Sequence, residues 1–106
     1  MKGEINHIVL FKVEEGVTQQ QIDEFYENLF KLKEKIPGII SIVGGNNISI
    51  ENFDKGFTEG FVMKFRDKDS RDNYVNHEWH IKFIEEYVDP IFGDCIVFDF
   101  EVFRLI

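Results

Sequence analysis

The chain has 106 residues, 43% of them hydrophobic and 30% charged, and a formal net charge of −8. That length suits one domain over residues 1–106 with one core, and the acidic balance argues against nucleic acid or an anionic membrane as partner. The lone Cys95 excludes an internal disulfide, and twelve phenylalanines against two prolines point to a core or cavity walled by aromatic rings.

The first element expected is a strand from Ile5 to Val13, with Ile5, His7, Val9, Phe11 and Val13 on one face and Ile8 and Leu10 on the other. Thr18 followed by Gln21 reads as a capping box. The helix it opens carries Ile22, Phe25, Tyr26, Leu29, Leu32 and Ile36 at helical spacing and stops at Pro37-Gly38, because proline cannot continue it. Ile39 to Val43 is a short strand that fades into Gly44-Gly45-Asn46-Asn47, and Asn47 to Lys55 reads as an exposed loop. Gly56 to Arg66 is a third strand with Phe57, Glu59, Phe61, Met63 and Phe65 on one side. Asp67 or Asp69 caps a helix running through Tyr74, and His80, Phe83, Ile84, Tyr87 and Ile91 continue a helical stripe. Gly93-Asp94 is expected to turn the chain into a last strand from Cys95 to Phe103. Cys95, in that apolar run, is expected to be a small buried hydrophobe.

The order β-α-β-β-α-β is that of ferredoxin-like α+β folds, a four-stranded antiparallel sheet with two helices on one face. Its other face then carries Ile8, Leu10, Ile96, Phe98, Phe100 and Val102, a larger apolar patch than soluble monomers expose. A homodimer with two sheets packed face to face, a dimeric α/β barrel, accounts for it. Glu4, Asn6, His7 and Lys12 interrupt any apolar leader and no run approaches a membrane span, so a cytoplasmic protein is expected.

Candidates for chemistry concentrate in Asn73 to Phe83, which holds Tyr74, His77, Trp79 and His80. His80 heads an apolar stripe that turns it toward the sheet, where a neutral imidazole can accept a proton. Tyr74 lies six residues earlier, so the two converge only if the helix bends or breaks near His77. His77 and His80 lack further ligands for a metal, and no metal or cofactor is expected. His7 and Glu59 are lone polar residues on strands one and three, and the pair is expected to meet across the sheet if those strands are adjacent. Together with Val9, Phe11, Phe61 and Phe83 they outline the walls of a pocket for a small apolar or aromatic molecule.

Five segments in order carry a family resemblance: His7-Ile8-Val9-Leu10-Phe11-Lys12, Lys35-Ile36-Pro37-Gly38-Ile39, Lys55-Gly56-Phe57-Thr58, His77 to Phe83, and Val97-Phe98-Asp99-Phe100. The chain resembles the stress-responsive A/B barrel family of the dimeric α+β barrel group. One branch of that family, plant polyketide cyclases, implies a base at His80, a positioning tyrosine at Tyr74 and a further pocket histidine at His7. Two positions depart from that branch: Glu59 replaces a histidine, and Glu78 replaces the proline usual between the two histidines. Three functions follow as expectations: a small-molecule-binding homodimer, a cofactor-independent cyclase or lyase using His80 and Tyr74, and a stress-related dimer that recruits a partner without any ligand.

Overall fold

A computed structural model gives the structure of the protein and describes residues 3–103. The elements follow as β1 (Ile5–Val13), α1 (Gln19–Lys35), β2 (Ile39–Asn46), β3 (Glu59–Phe65), α2 (Lys68–Val75), α3 (Glu78–Phe83), a π-helical turn (Ile84–Val88) and β4 (Phe92–Glu101). The strands form one sheet in the order β2-β3-β1-β4, antiparallel at every pairing. This is the ferredoxin-like arrangement that the element order predicts.

Both reciprocal bonds of the capping box start α1: the Thr18 side chain accepts from Gln21 N, and the Gln21 side chain accepts from Thr18 N. Phe25, Leu29 and Leu32 then face the sheet and are buried. Phe25 is the hub of the core. Its ring meets Phe11 edge-on at 5.1 Å and lies 5.4 Å from Phe83, 5.5 Å from Phe92 and 6.1 Å from Phe61. Removing such a ring from water stabilises the fold by about 1.5–3 kcal/mol.

Cross-strand register sorts the sheet into two faces, since directly opposed residues share a side. On the helix side, His7 is flanked by Met63 and Asp99, and Val9 by Phe61 and Val97. On the open side, Val43, Val62, Ile8 and Phe98 form an apolar row across all four strands. Leu10 and Ile96 continue it, and Phe98 is 61% exposed in the protomer.

Several expected boundaries shift. β2 runs on through Gly44, Gly45 and Asn46, because their backbones pair with Phe61, Gly60 and Glu59; backbone pairing needs no side chain. β3 correspondingly starts at Glu59 and not at Gly56. β4 begins at Phe92, ahead of the expected turn, because a register shift at Lys12/Val13 lets the sheet absorb Gly93 as an extra residue. Cys95 is exposed and not buried. It shares the helix side with Phe11, but it stands in the middle of the edge strand β4, where Val97 beside it is also 57% exposed. Among the described residues no helix is long and apolar enough to cross a membrane.

Candidate functional site

The second helical segment is broken where convergence of Tyr74 and His80 requires it. Asn76 ends α2, and His77 adopts extended backbone (φ −68°, ψ 140°) as the N-cap of α3. The His77 ring supplies the cap: its Nδ1 accepts from Trp79 N at 3.1 Å, satisfying a donor that the new helix would leave orphaned. A histidine side chain here does the work of the proline usual one residue later.

The break turns the chain so that Tyr74 and His80 stack, with ring centroids 3.9 Å apart and planes 24° from parallel. His7 meets the Tyr74 ring edge-on at 5.7 Å, and Phe65 lies at 5.1 Å from it. His80 Nδ1 is 3.0 Å from the Val75 carbonyl. A carbonyl only accepts, so Nδ1 carries the proton and Nε2 keeps its lone pair. Burial depresses the His80 pKa below its ordinary 6.5, only partly offset by the Val75 hydrogen bond. Burial, and secondarily the charge of Asp99, pushes the Tyr74 hydroxyl upward. That hydroxyl makes no hydrogen bond to any described residue. A neutral acceptor and a neutral donor are therefore stacked together.

Behind them lies a chain of charge. His7 Nδ1 donates to Asp99 Oδ1 at 2.6 Å, and Arg71 Nη1 donates to Asp99 Oδ2 at 2.6 Å. Arg71 also donates to Asp72 through Nε. These bonds hold both Asp99 oxygens and fix the His7 ring against Tyr74. Sequence reasoning left Arg71 out, because nothing in its local pattern distinguishes it from a solvated helix residue.

Of the other expected site residues, Phe61 lies 6.2 Å from the His7 ring, whereas Glu59 sits apart from this cluster. The expected His7–Glu59 contact does not form: β1 and β3 are neighbours, but Glu59 lies opposite Phe11 while His7 lies opposite Met63. Glu59 accepts instead from the Tyr26 hydroxyl at 2.8 Å, which together with burial raises the tyrosine pKa. Tyr26 reads from sequence only as part of the apolar stripe of α1. Val9, Phe11, Phe61 and Phe83 are all buried. The three phenylalanines pack on Phe25, and Phe92 stacks on Phe11 at 3.9 Å.

With this geometry in place, the comparisons with known proteins converge. The model of the Stress Responsive A/B Barrel Domain matches residues 5–102. The stress-response A/B barrel domain-containing protein HS1 of Arabidopsis thaliana is 29% identical over 100 residues, covering 94% of this chain and 91% of that protein. Olivetolic acid cyclase of Cannabis sativa is 22% identical over 96 residues, covering 91% and 94%. Among solved structures, the hydroxynitrile lyase of Passiflora edulis superposes with a TM-score of 0.88 at 19% identity, covering 98% of this chain and 97% of that one. A dimeric ferredoxin-like protein of unknown function from Jannaschia sp. CCS1 gives 0.81 at 26% identity, covering 94% and 100%.

Proposed function

The chain belongs to the stress-responsive A/B barrel domain family, and we propose that it acts in the cytoplasm as a homodimer that binds a small, largely apolar molecule against Tyr74 and His80. The observation that carries this reading is the stacked pair itself. A hydroxyl without a partner and an imidazole nitrogen with a free lone pair, set beside His7 and Phe65, are the kind of convergent polar groups that orient a ligand in an apolar site. The dimer is supported by the uncovered apolar row Val43, Val62, Ile8 and Phe98 and by the dimeric relative from Jannaschia.

A screen of aromatic and polyketide-like compounds for thermal stabilisation tests the reading. Compounds that raise the melting temperature of the wild type should lose that effect in Tyr74→Phe and in His80→Ala. Equal stabilisation of all three proteins would place the ligand elsewhere.

The tautomer of His80 favours a second reading, a cofactor-independent cyclase or lyase. With Nδ1 tied to Val75, Nε2 can take a proton from an activated C–H or O–H, while the Tyr74 hydroxyl donates to the oxygen on which negative charge develops. Two similar proteins bear names of this chemistry, a cyclase and a hydroxynitrile lyase. On a turned-over compound, His80→Ala should remove at least about the hundredfold that general-base catalysis supplies.

A further inference from the structure

The stacked pair has a neighbour whose proton is placed from a distance. His7 Nδ1 lies 2.6 Å from Asp99 Oδ1, and an ionised carboxylate only accepts, so that nitrogen carries a proton. The second nitrogen, Nε2, makes no hydrogen bond to any described residue. It is not sealed in either, since Asn6 Oδ1 is the one fully enclosed, unpartnered side-chain atom among the described residues. Whether Nε2 is bare or protonated decides whether His7 offers a ligand an acceptor or a donor.

The rings of Phe61, Phe65 and Tyr74 pack around His7 with centroids 6.2, 6.0 and 5.7 Å away. Contacts of that kind are nearly blind to a half-turn of the imidazole, which exchanges its nitrogens with carbons. Asp99 makes the distinction, yet it stands on the edge strand β4 with a side chain 21% exposed. Its other oxygen is held by Arg71 Nη1 at 2.6 Å. A carboxylate partly withdrawn from water favours one positive charge beside it. The guanidinium is effectively always charged, so Asp99 is balanced without an imidazolium. Arg71 precedes Tyr74 by three residues on α2, a spacing that puts both on one side of the helix. One helix therefore places the tyrosine directly and the histidine through Asp99. The other charges nearby leave this balance intact. Asp72 takes Arg71 through Nε and not Nη1, and Glu101, the next residue on that face of β4, makes no hydrogen bond to His7.

We propose that Arg71 is a positioning residue of this site: by holding Asp99 it keeps His7 neutral and protonated on Nδ1, so that Nε2 is a second hydrogen-bond acceptor beside Tyr74. Use of that acceptor by a ligand rests on the Tyr74–His80 reading, whereas the state of His7 belongs to the free protein. Without the guanidinium, Asp99 either draws a second proton onto His7 or turns to water and releases Nδ1. In both cases a proton reaches Nε2.

The test is nitrogen magnetic resonance of the full chain with labelled histidine rings, at neutral pH and without ligand. In the wild type His7 Nε2 should resonate as a bare nitrogen. His80 Nε2, left bare by the bond of Nδ1 to the Val75 carbonyl, serves as the reference. Arg71→Leu should move the His7 signal into the N–H range and leave His80 in place. Arg71→Lys keeps the charge and should keep the nitrogen bare, which a merely structural loss would not allow. Asp72→Asn, which touches only the Nε contact, should also keep it bare. Arg71→Gln takes the place of Arg71→Leu if the latter fails to fold. A bare Nε2 in the variants without the charge, a lysine variant that does not preserve it, or a protonated Nε2 in the wild type would each overturn the proposal and leave the Tyr74–His80 pair untouched. A failed ligand screen would instead sink the binding reading and leave the effect of Arg71 on His7 standing.

Discussion

Burial acts in opposite directions on the two stacked rings. A tyrosine loses a charge on protonation, so desolvation raises the Tyr74 pKa; a histidine gains one, so desolvation lowers that of His80. Both groups are consequently neutral around pH 7, as donor and acceptor. A nuclear magnetic resonance titration should find the His80 midpoint below 6.5, its ordinary value; a midpoint above it would contradict the desolvated site. Linkage fixes the accompanying stability effect. Because the folded-state pKa is the lower one, the neutral ring contributes its full stability above the unfolded value of about 6.5 and loses it as pH falls through the folded pKa. The melting temperature of the wild type should therefore drop on mild acidification by more than that of His80→Ala. Any base-dependent activity should stay high to a lower pH than an ordinary imidazole allows.

At the scale of elements, Gly38 lies between α1 and β2 and packs against the start of α2. It sits at φ +91°, a backbone region that side chains disfavour, and a Cβ there would overlap the Ser70 side chain at the start of α2. Its carbonyl accepts from Arg66 N at 2.8 Å. Gly38→Ala should destabilise the protein by about 1–3 kcal/mol, read as a lower urea midpoint; an unchanged midpoint would mean that α2 yields freely. The same scale shows what the sequence made legible. Thr18, Gln21 and Pro37-Gly38 mark α1 closely, because caps and breakers act locally. The break before α3 could be stated only as a condition, since it depends on the His77 ring reaching Trp79 N. The β2 extension through two glycines and the early start of β4 were hidden for a related reason. Both are set by the backbone of the neighbouring strand.

For the whole molecule, alternation alone made the two-sided sheet legible, and the fold followed from element order. The candidate site was legible only in part. His7, Tyr74 and His80 could be named from residue type and resemblance, whereas Arg71, Tyr26 and the correct partners of His7 and Glu59 depend on long-range register. The open face has its own consequence. Ile8, Val62, Val43 and Phe98 stand in line on the open face, Val43 and Phe98 being 62% and 61% exposed, and a second copy seated there would take this apolar surface out of water. Sedimentation equilibrium should give about twice the 12.6 kDa chain mass. Phe98→Asp should shift it to the monomer, because an unpaired carboxylate in that interface costs several kcal/mol. A wild type that sediments as a monomer would sink the dimer.

Whether a small molecule is held at Tyr74 and His80, as proposed, is measured most directly on the imidazole itself. A stabilising compound from the screen would be titrated into histidine-labelled protein while the ring resonances of His7, His77 and His80 are followed. The predicted result is a saturable shift of the His80 signals, with a smaller one at His7 and the least at His77, whose ring caps α3 through Nδ1. Unmoved His80 signals in a protein that the compound nonetheless stabilises would contradict it.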